Sequence, residues 1–190
     1  MKNAQVRGEQ TTITFAYMHK GARFMLNLAE DSQEGQLYTT ISALVYCAFT
    51  LEAYLNHLGK LKNDDWEKIE RRYSKIDKYK KFASAGNINF DEFRNRPYRT
   101  LKELFGFRDR MAHGRTTTES VNVSIYMPTD HLPQIYADKS WKSFATVENA
   151  RIAIEDVETI VKELHSANGY PGNPFSKLGG GVYGISYEST

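Results

Sequence analysis

From Gln36 to Leu58 the apolar residues Leu37, Ile41, Leu44, Ala48, Leu51, Leu55 and Leu58 recur every three or four positions. Only an α-helix lays such a pattern on one side of the chain, here as a continuous stripe about six turns long. Gly59 follows, a residue suited to ending a helix. The run is not a membrane span, because Ser42, Thr50 and Glu52 interrupt its apolar stretch. A helix this long and this one-sided buries its stripe against other helices, so the chain is expected to be mainly α.

The remaining segments agree. Thr11-Thr12 can cap a helix from about Ile13 to Ala29, with Ile13, Tyr17, Phe24 and Leu28 on one side, and Asp31 to Gly35 breaks it. Asn63-Asp64-Asp65 opens a strongly charged helix to about Phe82, acidic in its first turn and lysine-rich in its last. Ser84 to Asn87 reads as a turn. Pro97 suits the first turn of a fourth helix, ended near His113 by Gly114. Residues 115–145 change character: Val121, Val123 and Ile125 alternate with Asn122 and Ser124, the two-residue period of a half-buried strand. A return strand is expected within Gln134 to Phe144. A fifth helix, about Val147 to Ala167, repeats Val147, Ala150, Ile154, Val157, Val161 and Leu164, then stops at Asn168-Gly169 before Pro171. The expected architecture is an antiparallel four- to five-helix bundle over residues 1–168, with a small β insertion (115–145) between the last two long helices. The Gly/Pro/Tyr-rich residues 169–190 hold six of the thirteen glycines and read as a flexible or weakly docked extension.

Charge is divided unevenly. Residues 60–115 carry 16 Lys/Arg and 9 Asp/Glu, while the rest carry 9 and 14, so +7 and −5 make the net +2. The basic half interleaves its cations with Trp66, Tyr73, Tyr79, Phe82 and Tyr98, a combination that can attract a polyanion and stack bases, and equally the mark of a solvated amphipathic helix. The single Cys47 excludes an internal disulfide framework and fits a reducing cytoplasm. No charged-then-apolar leader is read at the start of the chain.

Within the basic half, Phe107-Arg108-Asp109-Arg110-Met111-Ala112-His113-Gly114 sets an arginine where a helix should bury apolar carbon. Stepping about 100° per residue puts Leu101, Leu104, Phe105, Met111 and Ala112 on one face, with Arg108 near its middle and Arg110 opposite. A permanent charge on such a face is costly unless it is paired or used. His113, five residues on, adds a side chain that titrates near neutral pH. On one ideal helix the two lie about 140° and about 7.5 Å apart, so acting on one phosphate needs the helix to end at His113 or a second copy to complete the site. The bland alternative has Arg108 snorkelling and His113 capping a helix C-terminus. Glu52, at the edge of the long stripe with Asn56 a turn on, is the natural partner for Arg108 if the two helices pack. Other features carry little. His19, His57, His131 and His165 lack metal-ligand spacing, Gly179-Gly180-Gly181 lacks the Lys-Ser/Thr of a phosphate loop, and Cys47 sits in an apolar helix centre.

The segment Leu101 to Gly114 resembles the signature of the HEPN superfamily (higher eukaryotes and prokaryotes nucleotide-binding). That signature is an arginine, a polar residue, and a histidine four to six positions on, filled here by Arg108, Asp109 and His113. Ala48 to Asn56, carrying Glu52 and Asn56 among alanines and aromatics, is similar to the earlier helix of many such proteins, and the likeness spans roughly residues 10–168. The resemblance implies a homodimer with paired Arg/His motifs at a two-fold interface and an RNA substrate. It implies a cytoplasmic, metal-independent and cofactor-free endoribonuclease, in a toxin–antitoxin or phage-defence role with a possible antitoxin or defence partner. Arg108 and His113 would be catalytic with Glu52 supporting, Asp109 and Asn56 behind them, and Arg110 and Arg115 on the RNA backbone. Other members have lost activity and bind a nucleotide or a partner protein. Toxin-type members can carry a modified tyrosine two places after the histidine, where this chain departs with Arg115.

Overall fold

The computed structural model describes residues 4–116, 118, 120–122, 124 and 141–187. Strand β1 (Ala4–Thr12) leads into α1 (Thr14–Asp31) and α2 (Gln36–Lys62), followed by the short α3 (Trp66–Ile69) and a 3₁₀ turn (Glu70–Arg72). Then come α4 (Lys75–Ala85), α5 (Tyr98–His113), the single turn α6 (Trp141–Phe144), α7 (Val147–Ala167) and strand β2 (Gly179–Tyr187). The chain is mainly helical with one small antiparallel sheet, β1 against β2. Among the described residues no helix is long and apolar enough to cross a membrane.

The α2 stripe does what its periodicity requires. Leu44, Ala48, Leu51, Leu55 and Leu58 are buried, joined by Cys47 and Tyr54. The helix runs past Gly59 rather than stopping there. The Trp66 indole lies where a Cβ on Gly59 would be, so the glycine is a seat for a ring inside the helix. The face expected for α1 is corrected: Tyr17, Phe24 and Leu28 are exposed, while Phe15, Ala16, Ala22, Leu26 and Ala29 are buried. Alanines win the inner face because they let α1 approach α2 closely, with Gly21 against the ring of Tyr46.

The charged helix expected over residues 63–82 is two helices. Trp66 turns back onto α2 and Tyr73 stacks on it, with ring centroids 5.9 Å apart. Ser74 then starts α4 afresh, its hydroxyl accepting the Asp77 backbone N–H at 3.1 Å. On α5, Leu101, Leu104, Phe105 and Phe107 are buried, but Ala112 is exposed because the core ends a turn before the helix does. Asp156 of α7, nearly inaccessible, pins the start of α5: it accepts from Arg96 Nε and Nη2, each at 2.9 Å, and from Thr100 Oγ1 at 2.5 Å. Thr146 caps α7 by accepting the Asn149 N–H at 3.1 Å.

In the β insertion, Val123, Ile125 and residues 126–140 lie outside the described residues, and Val121, Asn122 and Ser124 are in no strand. The end of the expected return strand, Trp141–Phe144, is helical, with Phe144 packed on Phe107 at 5.3 Å. The C-terminal extension is also corrected. Phe175 stacks on His19 at 4.1 Å, Tyr170 and Leu178 pack on the core, and β2 then pairs with β1 along its whole length. Glycines that read as flexibility serve a strand, since its partner supplies the order that composition withholds.

Candidate functional site

Three helices place charged side chains at one point. α2 contributes Glu52, flanked by Phe49 and Asn56; α5 contributes Arg108 and Asp109; α4 contributes Lys75 and Lys78. Arg108 occupies the inner face of α5 beside Leu101 and Leu104, half-buried, with its guanidinium against Glu52 of α2. Arg108 Nε lies 3.3 Å from Glu52 Oε1, and Nη2 donates to Glu52 Oε2 at 3.4 Å. Nη1 donates to Asp109 Oδ1 at 3.0 Å. The Phe49 ring lies under the guanidinium, 5.6 Å from its carbon. The contacts to Glu52 are longer than the 2.7–2.9 Å of a tight charge-assisted pair. Nε and Oε1 are both enclosed yet meet off hydrogen-bond geometry. Glu52 therefore orients Arg108 without clamping it, and about a quarter of the arginine side chain, 24%, stays open.

Lys75 closes the cluster. Its Nζ donates to Asp109 Oδ1 at 2.7 Å, stands 3.9 Å from Glu52 Oε1, and lies over the Phe105 ring. Asn56 joins through Lys78, which donates to Asn56 Oδ1 at 2.6 Å and sits 3.8 Å from Glu70. The two acids respond differently. Burial pushes the Glu52 carboxyl above its ordinary range, and the attraction of Arg108 and Lys75 offsets this only in part. Asp109 feels burial too, but hydrogen bonds and charge from Lys75 and Arg108 outweigh it and hold its carboxyl below the usual range.

Beside the cluster runs a surface cleft of about 470 Å³ lined by Tyr73, Lys75, Lys102, Phe105 and Asp109. Its lysines can take a phosphate, and of its two rings Phe105 is buried in the core while the half-buried Tyr73 keeps an open edge. Arg108, Glu52 and Asp109 are thus brought together and Asn56 is one link away. His113, Arg110 and Arg115 are exposed, and none forms a hydrogen bond or ion pair with the described residues. Within one chain the imidazole does not join the guanidinium's network. Lys75 and Lys78 are the residues that sequence reasoning missed. Their only trace was spacing of three positions in a charged helix, which a solvated face would show equally.

His19 and His165 are engaged elsewhere: His19 Nε2 lies 2.9 Å from Glu158, and His165 Nδ1 lies 3.2 Å from the Tyr54 hydroxyl, while His131 lies outside the described residues. Cys47 is fully enclosed, and burial pushes its thiol far up, away from reactivity. Among the described residues no group of three or more His, Cys, Asp or Glu is placed to hold a metal ion. No protein-family model, curated protein or solved structure matches the chain.

Proposed function

We propose that this protein is an endoribonuclease of the HEPN type, built on an antiparallel helical bundle, that cuts RNA in the cytoplasm without a metal ion. The observation that carries the reading is Arg108: a guanidinium on the buried face of α5, oriented by Glu52 of α2, held beside Lys75, and still partly open next to an aromatic, basic cleft. In this chemistry the substrate's 2′-hydroxyl attacks the adjacent phosphorus and the 5′-oxygen leaves, giving a 2′,3′-cyclic phosphate. Arg108 stabilises charge on the non-bridging oxygens, and His113 moves a proton at the attacking or leaving oxygen. Such proton transfer contributes about 10²–10⁴-fold, or roughly 3–5 kcal/mol of barrier. Because His113 stands outside the Arg108 cluster, the reading calls for a homodimer in which the partner's motif completes each site. Arg110 and Arg115, both exposed, would grip the RNA backbone. A toxin or phage-defence setting, with a neutralising partner, accords with such an activity.

The same exclusion of His113, together with the two carboxylates on Arg108, favours a second reading: a non-catalytic module that binds a nucleotide or a partner protein. Incubating the purified protein with RNA in EDTA separates the two. The first reading expects cyclic-phosphate ends, lost in both Arg108→Ala and His113→Ala while the folded, associated state persists. Equal cleavage by wild type and both variants, or no cleavage of any RNA tried with retained nucleotide binding, ends it.

A further inference from the structure

Among the described residues strands β1 and β2 form a two-stranded ribbon whose side chains are exposed throughout. Two strands alone are marginal in water; three or more, or a packed face, make a sheet stable. One face of the ribbon sets Ala4, Val6 and Gly8 against Ile185 and Tyr183 before ending in Gln10 and Thr12, with Val6 directly opposite Ile185. Both remain more than half exposed, at 61% and 62%. Its other face carries Arg7 and Glu9. Native edges of this length are usually blunted by charge, proline or a bulge. β1 has no proline, its register with β2 runs unbroken from Ala4 to Thr12, and its two charges, Arg7 and Glu9, are of opposite sign, so they repel a foreign strand less than they can match a second copy of themselves.

We infer that β1 is a self-association edge, pairing antiparallel with β1 of a second copy about a two-fold axis at Gly8, to make a four-stranded sheet ordered β2–β1–β1–β2. The charges choose the occupant and the register. With Gly8 opposite Gly8, Arg7 of each copy faces Glu9 of the other on the polar face, giving two symmetric ion pairs. Sliding by one position either way about the axis, to centre on Arg7 or on Glu9, sets like charges opposite each other at the centre. Among the described residues Glu9 has no ion-pair partner and Arg7 reaches only Gln5 Oε1, at 3.3 Å. Gly8 is required where it stands, because a Cβ there would run into the Val182 carbonyl and the Tyr183 ring of β2. β2 is the poorer edge: Gly179, Gly180, Gly181 and Gly184 weaken strand pairing, and no charge fixes its register.

The pairing is independent of the ribonuclease reading, which calls for a dimer through the Arg108 and His113 motifs: only association through β1 responds to the charges of Arg7 and Glu9. Sedimentation equilibrium of the full chain, at concentrations up to about 100 µM, is expected to show self-association that those charges control. Arg7→Glu and Glu9→Arg each put like charges opposite one another twice, and each should weaken the dimer about 10-fold or more. The double variant R7E/E9R restores opposite charges and should return to within about 3-fold of wild type. Circular dichroism confirms that each variant keeps its helices, since the strands lie outside the helical core. A wild type that stays monomeric, single variants that dimerise like wild type, or a double variant no better than the singles would each overturn the assignment.

Discussion

Replacing Arg108 by methionine keeps much of the stem and removes the charge, so it isolates what the guanidinium does for the fold. Breaking a fully buried ion pair by deleting one member costs about 3–5 kcal/mol, whereas an exposed pair is worth about 0–1. The Arg108 and Glu52 side chains are 24% and 23% exposed and their contacts run at 3.3–3.4 Å, so the pair belongs between those limits. Loss of the Phe49 ring contact adds roughly 0.5–1 kcal/mol. Arg108→Met should therefore cost about 2 kcal/mol, because Glu52 is left with Lys75 at 3.9 Å as its nearest cation. Glu52→Gln should cost less, about 1 kcal/mol, because it also relieves the burial of a carboxylate. In the double variant the two losses should overlap by about 1–2 kcal/mol. For a chain of this size each kcal/mol moves Tm by about 2–4 °C, so Arg108→Met should melt about 4–8 °C lower. Urea unfolding of the four proteins, followed by circular dichroism and tryptophan fluorescence, closes the cycle. Additivity within about 0.3 kcal/mol would mean that the pair does not couple, and the account of how Glu52 positions Arg108 would fail.

Gly59→Ala gains about 1 kcal/mol of helix propensity but drives a methyl into Trp66; overpacking of about 1–3 kcal/mol should win, with a lower urea midpoint and red-shifted emission, and a stabilised variant would refute the ring seat. Asp156→Ala should cost about 2–3 kcal/mol by stranding buried Thr100 and freeing Arg96, whereas Arg99→Ala, on an exposed pair with Glu103, should cost under about 0.5. The acids give opposite pH signs. Asp109, held low, contributes stability that is present above the ordinary carboxylate pKa of about 4 and lost as pH falls through its depressed value. Glu52, held high, contributes stability present below about 4 and lost as pH rises through its raised value. Asp109→Asn should thus flatten the acid limb of a midpoint-against-pH curve, and Glu52→Gln should raise its neutral end relative to its acid end; the reverse pattern would contradict the burial assignments.

Much of the helical layout is legible in local pattern. The stripe through α2, the limits of α7 and the end of α5 at His113 all follow from periodicity and capping residues within a few turns of each other. Arg108 was visible for the same reason, as a charge on a face otherwise apolar. Its pairing with Glu52 could be expected only on condition that α2 and α5 pack together. Lys75 was not visible, because whether a lysine faces water or a neighbouring carboxylate depends on how α4 is docked. The face of α1 misread because its aromatics signal a core more loudly than its alanines.

What the amino-acid order determines unaided is where the backbone coils: hydrogen bonds span four residues, and side chains three or four apart share a face, so the information is near at hand. What only the folded molecule decides is which faces meet. The ring of Trp66 on Gly59 turns on how the chain folds back over α2, while the meeting of Glu52, Arg108, Asp109, Lys75 and Phe49 and the pairing of the two ends of the chain into one ribbon join residues far apart in sequence. Those contacts are selected by close packing and by the cost of leaving buried charge and unpaired backbone unsatisfied, which no short window of residues can express.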